Sequence, residues 1–238
     1  MPSKSARTLP KKKAGRATRQ LTRAPGMSTN LKVTLGVLGA AVAVLLLVVV
    51  VRLTESGPAE GARVVRDVSH RLSTAPDGRV TVVEFLDFEC EACGAAYPGV
   101  ERLRAEYGDR ITYVVRYFPI ASHPNAYTSA HAAEAAARQG AFERMYVKLF
   151  DNQSVWGHRQ ESQAAIFEGY AGELGLDLTR FRADVASDAV AERVRSDAAD
   201  GEALGVTGTP TFFVNGEKYT GQPSYEALKA TVDKALGQ

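Results

Sequence analysis

Acidic residues are absent from the first 54 residues of this 238-residue chain, which carry ten lysines and arginines. The remaining residues hold 19 basic and 27 acidic side chains, so the near-neutral total hides two oppositely charged parts. A chain divided in this way is expected to work in two different environments. Large apolar residues are scarce in residues 1–32, and this composition predicts a basic, disordered arm.

Charge of either sign is also absent from residues 33–51, which are almost wholly Val, Leu, Ala and Gly. This apolar run is close to the length at which a helix crosses a bilayer. A cleavable signal peptide would have a shorter apolar region and a shorter basic flank, and a buried soluble helix would keep a polar side. The run therefore predicts an uncleaved, single transmembrane helix, with residues 52–62 as a linker.

Lysine and arginine are retained on the cytoplasmic side of such anchors. The N-terminus is therefore expected inside the cytoplasmic membrane, and the C-terminal domain is expected outside it, in an extracytoplasmic location. The basic arm is also of a kind that binds nucleic acid or anionic lipid. Because membrane topology already explains its charge, we expect a membrane location and no nucleic-acid partner.

Residues 63–238 are predicted to form one α/β domain. Runs rich in β-branched and aromatic residues, bounded by turn residues, predict strands at 80–86, 111–118, 210–214 and 217–220. Helices are predicted at 90–107 and 225–236, and a helical insertion is predicted over about 124–204. This order indicates a mixed sheet interrupted by helices.

Cysteine is the other scarce residue, and the chain has only Cys90 and Cys93. A structural disulfide usually closes a longer loop, because a short crosslink removes little entropy from the unfolded chain. A zinc site would need further ligands, and the sequence has no second cysteine pair or His-x-x-x-His cluster. The spacing, directly after a strand and at the start of a helix, favours a redox pair, with inert thiols as the remaining alternative.

The position of the pair also predicts its reactivity. Thiolates are the nucleophiles in disulfide exchange, and an ordinary cysteine is mostly protonated at neutral pH. Unpaired N–H groups at a helix N-terminus stabilise a thiolate at Cys90. Cys93, one turn further along the helix, is placed to resolve a mixed disulfide.

Glu84 is expected on the same strand face as Val80, Val82, Leu86 and Phe88. If the end of the strand is exposed, this carboxylate is solvated. If it is buried beneath the cysteines, burial raises its pKa and lets it exchange a proton with Cys93.

Residues 84–93 and 206–216 resemble the active-site segment and the cis-proline loop of DsbA-like proteins of the thioredoxin superfamily. Pro98 matches the helix-kinking proline of many thioredoxin folds. The resemblance covers roughly residues 65–238 and implies a thioredoxin-like fold with a helical insertion.

The resemblance further implies roles for individual residues. Cys90 would be the attacking cysteine and Cys93 the resolving one, and Thr209 and Pro210 would form the substrate-binding cis-proline loop. Glu84 falls where the family keeps its buried acid. No metal or organic cofactor is expected, because the Cys90–Cys93 pair itself carries the two electrons.

One departure from the family concerns the residues between the cysteines. Strongly oxidising members usually carry Pro-His there, whereas this chain has Glu91 and Ala92. Asp87, Glu89 and Glu91 are predicted to crowd acidic charge around Cys90 and to raise its pKa relative to a histidine-bearing site. We therefore expect a milder oxidant.

The expected function is disulfide formation in cysteine-containing exported proteins, with a DsbB-like or VKOR-like membrane protein resetting the pair. A reductase or isomerase of the same fold is one alternative. A non-catalytic thioredoxin-like binding module is another. His123 is interpreted as an exposed loop residue, with a place in the lining of the substrate groove as the alternative. Tyr146, Phe150 and Trp156 are interpreted as structural.

Overall fold

The protein is described by a computed structural model covering residues 61–238, together with the isolated positions 38, 42 and 44. The predicted arm and most of the predicted anchor and linker lie outside the described residues. Within the part of the chain that the structure describes, no helix has both the length and the apolar character needed to cross a bilayer.

A five-stranded sheet lies at the centre of the described domain. Its strands are β1 (His70–Ser73), β2 (Thr81–Leu86), β3 (Thr112–Tyr117), β4 (Thr211–Val214) and β5 (Glu217–Lys218), in the order β1-β3-β2-β4-β5. β2 and β3 are parallel, whereas β1 pairs with β3, and β4 with both β2 and β5, in antiparallel fashion. The predicted strands are confirmed with slightly shorter bounds, and β1 was not predicted.

The helices follow the predicted outline. α1 (Glu91–Tyr107) connects β2 to β3, and α8 (Tyr225–Leu236) ends the domain. Between β3 and β4 lie α2 (Ala126–Ala137), α3 (Phe142–Asp151), α4 (Gln153–Trp156), α5 (Ala164–Glu173), α6 (Leu178–Val185) and α7 (Asp188–Ala203). These six helices confirm the predicted helical insertion.

The residues at helix ends explain several of these boundaries. The Asp177 carboxylate accepts hydrogen bonds from two backbone N–H groups at the start of α6, and the Ser187 and Ser224 hydroxyls each accept one at the starts of α7 and α8. α1 has Cys90 as its N-cap residue and lacks a side-chain cap. Its first N–H groups are therefore available to the cysteine sulfur.

Both faces of the sheet are covered by apolar side chains. The larger core cluster packs α1, α8 and the insertion against one face and contains Tyr146, Phe150 and Trp156, which are buried as predicted. The smaller cluster includes Phe85, Val114 and Phe213. Burial of both faces explains why β2 and β3 are apolar almost throughout.

A buried ion-pair network joins the beginning of the described chain to the sheet. Arg116 of β3 is fully buried and pairs with Asp197 and Asp200 of α7. It also donates hydrogen bonds of 2.8 Å to the carbonyl oxygens of Arg63 and Val64. This network fixes the entry of the chain into the domain.

Candidate active site

The two cysteines lie at the N-terminus of α1. Cys90 is the N-cap residue with extended backbone, and Cys93 lies one turn inside the helix. Both are free thiols; 8 % of Cys90 is exposed, and Cys93 is fully buried. Cys90 is therefore the sulfur that a partner thiol or disulfide can reach.

The environment separates the acidities of the two sulfurs. A hydrogen bond from the Cys93 thiol, opposed by burial and assisted by Thr209 and by the N–H groups of Cys93 and Ala92, lowers the pKa of Cys90 to about 5. Burial, together with the hydrogen bond to Cys90 and the charge of Glu84, raises the pKa of Cys93 above that of an ordinary cysteine. Cys90 is therefore the sulfur that ionises at the lower pH, and Cys93 is the one that holds its proton more firmly.

Glu84 is buried beneath the pair, with only 2 % of the residue exposed. It lies in β2 between Val115 of β3 and Phe212 of β4, and its carboxylate accepts a 2.7 Å hydrogen bond from the Tyr113 hydroxyl. Burial raises its pKa to about 7, although the Tyr113 hydrogen bond works in the opposite direction. The buried alternative is therefore confirmed, and the solvated one is wrong.

The Thr209–Pro210 peptide bond is cis, as the resemblance implies. This loop lies against the cysteines, because the Cys90 sulfur donates a hydrogen bond to the Thr209 carbonyl oxygen at 3.3 Å. The Thr209 hydroxyl is buried and has no hydrogen-bond partner among the described residues. The structure thus brings Cys90, Cys93, Glu84, Thr209 and Pro210 into one site.

Of the three carboxylates expected to crowd Cys90, two are buried in the domain and hydrogen-bonded there. Asp87 accepts hydrogen bonds from the backbone N–H groups of Glu89 and Ile120, at 2.8 and 3.0 Å. Glu89 is fully buried and accepts from the N–H groups of Asn125 and His158. Only Glu91 is exposed, and its carboxylate lies 3.0 Å from His158 Nε2.

Three residues from outside the Cys-x-x-Cys segment contact its surroundings and were not found from the sequence. His123 lies in a loop as interpreted, but it is only partly exposed, with 18 % of its side chain accessible and its Nδ1 2.7 Å from Asp87 Oδ2. Gln153 Nε2 donates to the Phe88 and Cys90 carbonyl oxygens at 2.8 and 2.9 Å. His158 has a left-handed backbone, with φ of 56°. The one sequence feature that pointed to any of these residues is the position of His123 directly before the predicted insertion.

Among residues 61–238, no three or more His, Cys, Asp or Glu side chains are grouped so that they would hold a metal ion.

Curated proteins share the domain with this chain. The Na(+)/H(+) antiporter NhaA of Herminiimonas arsenicoxydans is 45 % identical over 155 residues, which is 65 % of this chain and 23 % of that protein. NhaA 3 of Salinispora tropica is 44 % identical over 158 residues, which is 66 % of this chain and 23 % of that protein. The chain thus spans about a quarter of the length of these relatives, and the match concerns the thioredoxin-like domain alone.

Solved structures share the fold. A thioredoxin-like oxidoreductase from Silicibacter pomeroyi has a TM-score of 0.60 and 28 % identity, covering 73 % of this chain and 95 % of its own. Wolbachia pipientis α-DsbA1 has a TM-score of 0.65 at 18 % identity, and the match covers 73 % of this chain and 93 % of α-DsbA1. BdbD from Bacillus subtilis has a TM-score of 0.59 at 20 % identity, and the match covers 69 % of this chain and 91 % of BdbD.

The match to a family model extends the similarity from the site to most of the chain. The thioredoxin model matches residues 71–234, which include all five strands except the first residue of β1, as well as both cysteines and the cis-proline loop. The chain therefore belongs to the thioredoxin family.

Proposed function

We propose that the protein is a thiol–disulfide oxidoreductase that forms disulfides in exported proteins. The observation that carries the proposal is the arrangement of two free thiols at the start of α1, with Cys90 partly exposed at the N-cap and Cys93 buried one turn inside. This arrangement shifts the two sulfur pKa values in opposite directions, with Cys90 lowered to about 5 and Cys93 raised. A stabilised thiolate is a good leaving group, so a mixed disulfide at Cys90 is readily released towards the substrate. A static structural disulfide does not need this difference.

Each cycle moves two electrons from the substrate to the enzyme. A substrate thiolate attacks Cys90 of the Cys90–Cys93 disulfide, and Cys93 leaves and takes up a proton. A second substrate thiolate then attacks the substrate sulfur of the mixed disulfide, so that the substrate disulfide forms and Cys90 leaves as a thiolate. A membrane oxidant, of the DsbB-like or VKOR-like class, then removes the two electrons and restores the disulfide.

Glu84 is the proton donor to Cys93 in this scheme. Its pKa of about 7 leaves part of the population protonated at neutral pH, and its charge acts on Cys93. Thr209 and Pro210 bind the backbone of an extended substrate beside Cys90. The cis geometry of their peptide bond and the contact between Cys90 and Thr209 support this assignment.

We place the domain outside the cytoplasmic membrane, held by the anchor at residues 33–51 with the N-terminus inside. Support comes from the uncharged run and the basic residues that precede it. Protease treatment of spheroplasts is expected to digest the domain while the basic arm stays protected. Protection of the domain in intact spheroplasts would contradict this orientation.

The function is tested by oxidation of a reduced, unfolded protein with the full-length chain. Wild type is expected to form disulfides in the test protein, whereas Cys90→Ser is expected to be inactive. Equal inactivity of both would leave the non-catalytic binding module as the better description.

A redox titration against glutathione separates the oxidase from the reductase or isomerase. Low thiol pKa values accompany oxidising potentials, and a pKa near 5 lies between thioredoxin at about 7 and DsbA at about 3.5. We expect a potential between about −270 and −120 mV, which are the values of those two proteins. A potential at or below that of thioredoxin would favour the reductase.

A further inference from the structure

Two histidines from outside the Cys-x-x-Cys motif lie over the beginning of α1. His123 precedes α2 and contacts Asp87, and His158 precedes α5 and contacts Glu91. Their rings meet edge to face, with centroids 5.4 Å apart. They therefore form a pair near the start of α1, and the charge of Cys90 acts on His123.

Asp87 connects this pair to Cys90. The Cys90 N–H donates to the Asp87 carbonyl oxygen at 3.2 Å, so the two residues share one tight turn. The Asp87 side chain is fully buried, and His123 is the charged or titratable side chain to which it is hydrogen-bonded. The imidazole is thus held near the N-terminus of α1 by a carboxylate that is itself buried.

The charges around His123 are predominantly negative. Asp87 and Glu89 approach it from the segment after β2, Cys90 and Glu91 lie at the start of α1, and His158 approaches from the segment before α5. An uncompensated carboxylate at Asp87 would oppose ionisation of Cys90. A protonated imidazole at this place removes that opposition.

We propose that His123 is a positioning residue for the reaction: its imidazolium, held by Asp87, supplies beside the Cys90 thiolate the positive charge that Glu91 and Ala92 lack. The inference deepens the proposed function and rests on it. Partial burial opposes protonation of His123, but the hydrogen bond and charge of Asp87, with the charges of Cys90 and Glu89, raise its pKa overall. Coupling between two titrating groups is reciprocal, so the imidazolium in turn favours the thiolate.

The first experiment is a pH titration of the thiolate ultraviolet absorbance in the reduced full-length chain. His123→Gln keeps a hydrogen-bond donor for Asp87 but removes the charge, and it is expected to increase the proton affinity of Cys90 about tenfold, which is about one pKa unit. His123→Lys restores the charge and should recover part of the loss. His131→Gln, a half-buried histidine of α2 influenced by Arg195, is the matched control and should leave the midpoint unchanged.

The second experiment needs no substitution at His123. Oxidation replaces the thiolate with a neutral disulfide, so the NMR titration midpoint of His123 is expected to be lower in the disulfide form than in the dithiol form. An identical midpoint in both forms overturns the proposal, as does an unchanged Cys90 midpoint in folded His123→Gln.

The outcomes also separate this inference from the proposed function. A wild-type chain without a thiolate transition below neutral pH contradicts both. A wild-type chain with that transition, retained in His123→Gln, contradicts the role of His123 alone and leaves the oxidoreductase proposal intact.

Discussion

The thiol of Cys93 acts on Cys90 as a hydrogen-bond donor before any disulfide forms. Its hydrogen bond is the largest cause of the lowered Cys90 pKa. The same contact raises the pKa of Cys93, because a donor to an anion holds its proton more firmly. Each sulfur therefore contributes to the pKa shift of the other.

Replacing Cys93 tests this dependence directly. We expect Cys93→Ala to raise the pKa of Cys90 by about 1–2 units, because a hydrogen bond to a charged group contributes about 1.5–3 kcal/mol. Cys93→Ser keeps a donor and should raise the pKa less. Thiolate absorbance as a function of pH measures both variants. Equal midpoints in the Ala and Ser variants would show that the donor does not set the acidity.

Glu84 links the site to stability. Its carboxyl group has a pKa of about 7 in the folded protein and an ordinary value of 4.5. Between these values the folded chain holds a proton that the unfolded chain has lost, so the free energy of unfolding falls as pH rises. The free energy of unfolding is expected to fall by about 3 kcal/mol across the window between pH 4.5 and pH 7.

The Glu84→Gln variant should lack this dependence. Urea unfolding of the dithiol form at pH values on either side of the window measures the slope, and the difference between wild type and variant isolates Glu84. Wild type is expected to lose stability relative to the variant as pH rises from 4.5 to 7. A constant difference would mean that Glu84 titrates normally and cannot serve as the proton donor.

At the scale of elements, hydrogen bonds join the helical insertion to the turn before α1, which comprises Phe88, Glu89 and Cys90. Glu89 accepts backbone hydrogen bonds from the entry to α2 and from the segment after α4. Gln153 of α4 donates to two carbonyl oxygens of the turn. The glycine at position 94 leaves room for that amide, since a Cβ there would lie 2.1 Å from Gln153 Oε1.

A double-mutant cycle measures this close approach. We expect Gly94→Ala and Gln153→Ala each to lower the free energy of unfolding by about 1–2 kcal/mol, because either change breaks the two amide hydrogen bonds. The double variant should lose much less than the sum, since residues in contact are not additive. Gly169→Ala is the control, because this glycine of α5 has open space around it, and alanine favours a helix by about 1 kcal/mol. Full additivity would show that Gly94 and Gln153 are independent.

The elements that the sequence predicted are those with a strong local pattern. β2, β3 and α1 are long runs with clear ends, and the Cys-x-x-Cys pair is contiguous. β1 was missed because His70–Ser73 is a short edge strand without alternating apolar residues. The contributions of His123, Gln153 and His158 depend on how the insertion folds back over α1, and that packing leaves no mark in their local sequence.

At the scale of the whole molecule, redox state and folding are coupled through Cys90. Its pKa is about 5 in the folded dithiol form and about 9 for an ordinary cysteine. Between these values the folded chain has released a proton that the unfolded chain still holds, so this contribution to stability grows as pH rises from 5 and is lost as pH falls through 5. The disulfide form has no thiolate and lacks the contribution.

The dithiol form is therefore expected to unfold at higher urea concentration than the disulfide form at neutral pH, and the difference should shrink as pH falls towards 5. Parallel urea titrations of the two forms measure it, with Cys90→Ser under reducing conditions as the reference that lacks the thiolate. By the thermodynamic cycle that joins folding and oxidation, extra stability of the dithiol form makes the folded pair a stronger oxidant than the same pair in an unfolded chain. A more stable disulfide form would reverse this conclusion and favour the reductase, because the folded domain would then hold its disulfide rather than pass it on.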